Sequence, residues 1–172
     1  MEINFVNTLK MKRAISFFTA FILLLSVINA QEIPKWKITK LQSYIKESKS
    51  PIIITFWATY CKPCVQELPY FHELVKKYES AGIKLLLVSL DFEQFYPEKI
   101  KRFADKQKYT APIVWLNESN ADYFCPKIDS SWTGVMPATV LVNNKTGYRN
   151  FFEAQISKEK MEMEIKKLIG LY

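Results

Sequence analysis

Thr59-Tyr60-Cys61-Lys62-Pro63-Cys64 is the stretch that decides the fold, because it joins two segments with different hydrophobic patterns. Before it, residues 52–57 read Ile-Ile-Ile-Thr-Phe-Trp, a β-branched and aromatic run without polar alternation. Such a run is typical of a strand buried on both faces of a largely parallel sheet. From about Pro63 to Ser80, apolar residues recur at helical intervals. The sequence therefore predicts a Cys-x-x-Cys motif at a strand-to-helix junction.

The rest of the chain alternates helical and extended patterns around this junction. An amphipathic helix is predicted around residues 38–45, and Gly82 is expected to end the helix that follows the cysteines. The remaining predicted elements are strands at 83–90 and 113–116, a helix at 97–108, a short helix or loop at 120–128, a hairpin of 138–142 with 148–152, and a helix from the Ser157 cap to Leu171. This order predicts a layered α/β fold in one domain over residues 31–172.

The first thirty residues differ from the rest. A basic pair, Lys12-Arg13, precedes an uncharged apolar run at 14–28 that ends near the small residue Ala30. This pattern predicts a secretory signal peptide at residues 1–30, with Met11 as an alternative start. An uncleaved membrane anchor is the alternative, because the run comes close to the ~20 residues that a spanning helix needs. Either interpretation places the rest of the chain in the periplasm or another extracytoplasmic space, where disulfides persist.

Composition excludes several classes of protein. The 172 residues are 49% hydrophobic and 15% aromatic, with only 4 Gly and 8 Pro, which excludes a disordered or collagen-like chain. The net charge of +7 is spread along the sequence, without the clustered Lys and Arg that nucleic-acid recognition needs, so no nucleic acid partner is expected. Three cysteines are too few for a disulfide-stapled scaffold, so their spacing carries the information.

The two cysteines of the motif have different predicted roles. Cys61 lies at the start of the predicted helix, where free N–H groups and the helix dipole stabilise a thiolate, so it is the expected nucleophile. Cys64 lies one turn further in, where it can attack a mixed disulfide formed at Cys61. A static disulfide and a zinc half-site are the alternatives, and zinc would need further ligands, for which the candidates are Cys125 and His72. No metal or cofactor is expected.

The motif, the residues around it and one later segment resemble a known family. The stretch 56–69, Phe-Trp-Ala-Thr-Tyr-Cys-Lys-Pro-Cys-Val-Gln-Glu-Leu-Pro, and the stretch 135–139, Val-Met-Pro-Ala-Thr, are similar to those of thioredoxin-fold thiol-disulfide oxidoreductases of the exported TlpA/ResA-like branch. The resemblance covers nearly all of residues 31–172. It implies a thioredoxin-like layered fold with a central mixed sheet flanked by helices. The segment between Asp91 and Trp115 is similar to the insert of this branch.

The resemblance also implies the residues of the site. Cys61 and Cys64 would form a redox-active disulfide, and Pro137 would follow Met136 in a cis peptide that faces them. The backbone of Met136 would then be free to pair with an extended partner strand. Tyr60 stands where the family often has Trp. The substrate-binding residues implied in this way are Met136, Pro137, Trp57 and Tyr60.

Glu67 is the candidate for proton transfer. Thioredoxin has a buried Asp on the strand six residues before the first cysteine, where this chain has Thr55. Glu67 lies three residues after Cys64, on the same helical face, and ResA-like proteins carry a Glu at this spacing. A carboxylate there can take and return the proton of Cys64, so Glu67 is predicted to be catalytic. The alternative is a solvated helix Glu.

The function implied by these residues is the reduction of disulfides in extracytoplasmic proteins by dithiol exchange. Protein thiols and disulfides are the expected substrates, a membrane-bound or extracytoplasmic protein is the expected electron donor, and a monomer is expected. A thiol peroxidase of the same fold is one alternative, although the Pro-x-x-x-Thr-x-x spacing that begins at Pro51 and Thr55 ends on Ala58, where a peroxidase has its cysteine. The other alternative is a non-catalytic binding module with an inert Cys61–Cys64 disulfide.

Three further features are expected to be structural. His72 is predicted at the surface, and Cys125 is predicted to be a buried packing thiol, with a resolving or regulatory role as the alternative. One helical face is expected to be solvated, or at most a docking patch for an acidic partner, and it carries Lys99, Arg102 and Lys106.

Overall fold

A mixed six-stranded sheet forms the centre of the structure, a computed structural model that describes residues 32–172. The strands are β1 (Lys35–Trp36), β2 (Ile52–Trp57), β3 (Lys84–Ser89), β4 (Ile113–Leu116), β5 (Ala138–Asn143) and β6 (Tyr148–Phe152). Their order across the sheet is β1-β4-β3-β2-β5-β6. The first four are parallel to one another, and the pairs β2–β5 and β5–β6 are antiparallel. The strand that leads into the cysteines, β2, therefore lies inside the sheet.

Within the described residues, five α-helices cover the two faces of the sheet. They are α1 (Ile38–Glu47), α2 (Lys62–Lys77), α3 (Glu98–Gln107), α4 (Ala121–Ile128) and α5 (Lys158–Leu168). The apolar residues of α2, α3 and α5 are buried on one face, and those of α1 and α4 on the other. This arrangement confirms the predicted thioredoxin-like layered fold, with a central mixed sheet flanked by helices.

The strand β2 is buried at every position, as its sequence predicts. Its polar residue, Thr55, accepts a hydrogen bond from the Thr139 hydroxyl of β5 at 3.1 Å, so its oxygen is paired although it is fully buried. A short turn leads from β2 into α2. Pro63 lies in the first turn of α2, where a backbone N–H has no intrahelical partner and its loss costs little.

The boundaries of the other elements lie within a few residues of the predicted ones, with some differences. The segment 91–115 holds α3 and leads into β4, in the place where an insert is expected. The short element after β4 is a helix, and its cap Asn120 accepts a hydrogen bond from the Tyr123 N–H. The last helix ends at Leu168, three residues before the predicted end. Neither β1 nor the 3₁₀ turns at 79–81 and 93–95 were predicted.

The predicted signal peptide at residues 1–30 lies outside the described residues. The described residues form one compact unit, Glu32–Tyr172. Between residues 32 and 172, no helix combines the length and the apolar character that crossing a membrane requires.

Candidate active site

Cys61 and Cys64 are joined by a disulfide at the N-terminus of α2. Cys61 is the residue that caps the helix, and its Sγ accepts a hydrogen bond from the backbone N–H of Cys64 at 3.4 Å. Cys61 is 8% exposed, whereas Cys64 is fully buried. Cys61 is thus the slightly more exposed residue of the pair, and it lies at the N-terminus of the helix, where backbone N–H groups stabilise a thiolate.

Asp91 fixes the turn between β2 and α2. It comes two residues after the end of β3 and is only 4% exposed. Its carboxylate accepts hydrogen bonds from the backbone N–H of Thr59 at 3.1 Å, from the Thr59 hydroxyl at 2.6 Å and from the Ser89 hydroxyl at 2.9 Å. The turn that carries Cys61 is therefore tied to the end of the neighbouring strand. This role was not predicted, although an acidic residue directly after a predicted buried strand signals it.

Glu67 is fully buried on α2, which contradicts the alternative of a solvated helix Glu. Its Oε2 accepts a hydrogen bond from the backbone N–H of Ile156 at 3.0 Å, and its Oε1 has no hydrogen-bond partner among the described residues. Burial raises the pKa of Glu67 to about 7, although the bond from Ile156 opposes the rise. The carboxyl group can therefore both accept and donate a proton near neutral pH.

The segment 135–137 lies at the same end of the strands as the cysteines. β5 pairs antiparallel with β2, and Ala138 lies opposite Phe56, so the residues before β5 lie beside the turn after β2. The Met136–Pro137 peptide bond is cis, as the resemblance implies. Pro137 is buried and Met136 is half-buried.

Trp57 is buried and Tyr60 is exposed, so the prediction that Trp57 binds substrate is wrong. Trp57 is fully buried, with its ring centroid 5.9 Å from that of Phe103 and 5.7 Å from that of Tyr109. As the last residue of β2 it lies beneath α3 and the segment after it, so it supports the site from within and cannot contact a substrate. Tyr60, in contrast, is 47% exposed.

The other candidate residues have structural positions. His72 is half-buried: its Nδ1 lies 2.8 Å from the carbonyl oxygen of Leu68, and its ring stacks on that of Tyr109 with centroids 5.2 Å apart. The expected surface position of His72 is thus corrected. Cys125 is buried, and this desolvation, together with nearby acidic groups, raises the pKa of its thiol to about 11. Within residues 32–172, no group of three or more His, Cys, Asp or Glu side chains is placed to hold a metal ion.

Comparisons with known proteins agree with this geometry. The model of the AhpC/TSA family matches residues 26–146. The thiol-disulfide oxidoreductase ResA of Geobacillus thermodenitrificans (strain NG80-2) is 26% identical over 117 residues, which are 68% of this chain and 62% of that protein. The chain thus spans less than two thirds of the length of this relative. The thioredoxin-like protein YneN of Bacillus subtilis (strain 168) is 28% identical over 146 residues, which are 80% of this chain and 78% of that protein.

Solved structures are similar in fold. The thioredoxin-related protein from Neisseria meningitidis serogroup B has a TM-score of 0.60 and 23% identity, over 74% of this chain and 91% of that one. StoA from Bacillus subtilis has a TM-score of 0.52 and 24% identity, over 69% of this chain and 84% of that one. These likenesses confirm the thioredoxin-like fold. Because the family match extends over more than half of the residues, the chain belongs to the AhpC/TSA family.

Proposed function

We propose that this protein is an exported thiol-disulfide oxidoreductase that reduces disulfides in extracytoplasmic proteins by dithiol exchange. The observation that carries the proposal is the Cys61–Cys64 disulfide at the N-terminus of α2, in which Cys61 is 8% exposed and Cys64 is fully buried. The name of the relative ResA, a thiol-disulfide oxidoreductase, supports the same chemistry. Export rests on the predicted leader at residues 1–30.

The first half of the reaction takes place at Cys61. A dithiol donor first reduces the disulfide, which leaves Cys61 as a thiolate and Cys64 as a thiol. The Cys61 thiolate attacks one sulfur of a substrate disulfide. An S–S bond forms between Cys61 and that sulfur, the substrate S–S bond breaks, and the other substrate sulfur leaves as a thiolate.

The second half of the reaction releases the substrate. Cys64 loses its proton, attacks Sγ of Cys61 and expels the bound substrate sulfur as a second thiolate. The two substrate thiolates take up two protons, one of which comes from Cys64. The substrate has then gained two electrons, and the chain has returned to its disulfide form.

Glu67 is the proposed base for the second half of the reaction. Cys64 is fully buried, so its proton has no direct route to solvent, and Glu67 follows it by three residues on the same helical face. With its pKa near 7, the carboxylate can take the proton of Cys64 and return it to a substrate thiolate within one turnover.

The substrate is proposed to lie across Cys61, over the end of the sheet where β2 finishes and β5 begins. Tyr60 would contact it on one side, and the backbone of Met136 would pair with it on the other, in the manner of an added β-strand. A protein chain in extended conformation is the substrate that suits such pairing. Membrane-bound or extracytoplasmic dithiol proteins are the proposed donors.

An insulin-reduction assay with dithiothreitol as the donor tests the proposal. The parent protein should accelerate reduction, while Cys61→Ser and Cys64→Ser should both lose turnover. Cys125→Ala is the matched control, because it removes a thiol outside the site, and it should keep turnover. Retained turnover in Cys61→Ser would show that the nucleophile is assigned incorrectly. Cys64→Ser should also accumulate a mixed disulfide with the physiological substrate, whose identification names the partner.

The two alternatives give different results in the same assays. An inert structural disulfide would leave insulin reduction at the rate of dithiothreitol alone. A thiol peroxidase would consume hydrogen peroxide with dithiothreitol present. We expect no such consumption, because the residue at the end of the peroxidase spacing is Ala58, which is buried and carries no sulfur.

A further inference from the structure

Two exposed aromatic side chains lie beside the active-site cysteines. Tyr60, directly before Cys61, is 47% exposed, and Phe92, directly after Asp91, is 58% exposed. Their rings stack, with centroids 5.2 Å apart and planes 12° apart. The ring of Phe95 meets both of them at a steep angle, at 6.5 Å from Tyr60 and 6.0 Å from Phe92. Tyr60, Phe92 and Phe95 are called the aromatic patch below.

The aromatic patch is held in place by partly buried hydrogen bonds. Tyr60 follows Thr59 and Phe92 follows Asp91, so the bonds from Thr59 to the Asp91 carboxylate, at 2.6 and 3.1 Å, set the spacing of the two rings. The Nζ of Lys99, on α3, lies 3.4 Å from the ring centroid of Phe95. A surface fixed in this way loses little conformational freedom when a partner binds, which favours affinity.

Another exposed apolar residue lies on the opposite side of Cys61. Phe92 follows β3, Cys61 follows β2 and Val135 precedes β5, and these strands are neighbours in the order β3-β2-β5. Because β2 is parallel to β3 and antiparallel to β5, all three residues lie at the same end of these strands, where β2 and β3 finish and β5 begins. Val135 is 57% exposed. A chain that crosses Cys61 at this end of the strands therefore has apolar side chains on both sides of it.

We propose that the aromatic patch binds an aromatic or large aliphatic side chain that neighbours the reacting cysteine of an extended protein substrate. The inference rests on the proposed function, because the approach of a disulfide to Cys61 is what brings the substrate there. Cys61 is only 8% exposed, so the substrate backbone must come into contact with the surface around it. Tyr60 and Phe92 present ring surface there, and a third ring packs on such a pair in offset or edge-to-face geometry.

Two short peptides test this inference on the reduced full-length protein. Each carries one cysteine capped by β-mercaptoethanol through a disulfide, and the cysteine is flanked on both sides by Phe in one peptide and by Ser in the other. The measurement is the rate constant for reduction of each peptide. The parent protein should reduce the Phe peptide about tenfold faster, which is the size of effect that one aromatic contact supplies.

Two variants assign that preference to the aromatic patch. Phe92→Ala should lower the ratio of the two rate constants to about twofold, since it removes the outer ring of the stack. Tyr172→Ala is the matched control, because Tyr172 is an aromatic residue that is 77% exposed and belongs to a different part of the structure. It follows the end of α5, where the carbonyl oxygen of Leu168 accepts a hydrogen bond from the side chain of Asn143, at the end of β5 that is far from the cysteines. This control should keep the parent ratio.

The outcomes separate this inference from the proposed function. Equal rates for the two peptides in the parent protein, or an unchanged ratio in Phe92→Ala, would overturn the inference. If the parent reduces bis(2-hydroxyethyl) disulfide in either case, the oxidoreductase function still stands. Failure of the parent to reduce any of the three disulfides would overturn the proposed function itself.

Discussion

The carboxyl group of Glu67 is the titratable group on which the proposed chemistry depends most. Glu67→Gln keeps the shape of the side chain and removes its ability to take a proton. We expect the variant to form the Cys61–Cys64 disulfide and to lose about 10²-fold in the rate at which the mixed disulfide is resolved, the lower end of what general acid–base catalysis supplies. Stopped-flow kinetics of the exchange reaction measure this rate.

The pH profile and a control variant distinguish catalysis from structure. In the parent protein, the resolution rate should rise with the ionised fraction of Glu67 around pH 7, and this rise should be missing in Glu67→Gln. Glu73→Gln is the matched control, because Glu73 lies on the same helix with an exposed side chain paired with Lys158. If Glu67→Gln resolved the mixed disulfide at the parental rate with an unchanged pH profile, water alone would carry the proton of Cys64.

Burial of Glu67 also predicts how stability depends on pH. The pKa of its carboxyl group is near 4.5 in the unfolded chain and about 7 in the folded one, so between these values the folded state holds a proton that the unfolded state has lost. Its contribution to stability is therefore complete below pH 4.5 and decreases as pH rises to about 7, by on the order of 3 kcal/mol.

Urea unfolding of the oxidised protein measures this effect, because Cys61 and Cys64 do not titrate in the disulfide. Relative to Glu67→Gln, the parent should lose free energy of unfolding as pH rises from about 4.5 to about 7, and the difference should be constant above that range. A difference that does not vary with pH would mean that Glu67 titrates in the folded protein as it does in the unfolded chain.

At the scale of elements, the connection between the ends of β2 and β3 is the feature that holds the active site. Asp91→Ala would leave the N–H and hydroxyl of Thr59 without their buried acceptor. We expect a loss of about 1–3 kcal/mol in the free energy of unfolding and slower thiol exchange, because the turn before Cys61 is no longer fixed. Urea titration and the insulin assay measure the two effects.

A second aspartate provides the control for this prediction. Asp129 accepts hydrogen bonds from Ser131 within an exposed turn, and its carboxylate makes no bond to another strand in the described structure. Asp129→Ala should therefore cost less stability and leave exchange at the parental rate. If Asp91→Ala and Asp129→Ala behave alike, the connection between β2 and β3 does not position Cys61.

Elements with a local pattern can be predicted from the sequence, whereas long-range contacts cannot. β2 and α2 follow from periodicity, and the burial of Glu67 follows from its spacing to Cys64. β1 is only two residues long, Lys35–Trp36, and it is a strand because it pairs with Trp115 and Leu116, far along the chain. Local patterns carry no signal for such a pairing.

Two residues near the motif show the same limit within the site. The bonds between Thr59 and Asp91 join the ends of two strands, so neither segment alone predicts them. Trp57 was expected to contact substrate because it belongs to the stretch that resembles the active-site segment of the family. It is instead the last residue of a strand that is buried on both faces, and its side chain is therefore buried.

At the scale of the whole molecule, the leader predicts where the protein works. We expect the protein recovered from outside the cytoplasm of the producing cells to begin at or near Gln31, because a small residue precedes this position after the apolar run. N-terminal sequencing measures this directly. A membrane-bound form that begins at Met1 or Met11 would support the uncleaved anchor instead.

Because Cys125 is expected not to react with thiol reagents, the electrons stored in the Cys61–Cys64 pair can be counted by a thiol titration. At about pH 8 its buried thiol, with a pKa of about 11, stays protonated and out of reach of a colorimetric reagent such as dithionitrobenzoate. The native chain therefore reports only the Cys61–Cys64 pair, which releases two coloured thiolates per chain when reduced and none as the disulfide. The number of coloured thiolates released per chain therefore equals the number of electrons that the disulfide has taken up, so a midpoint potential can be obtained from protein that is equilibrated with a thiol buffer and then separated from it.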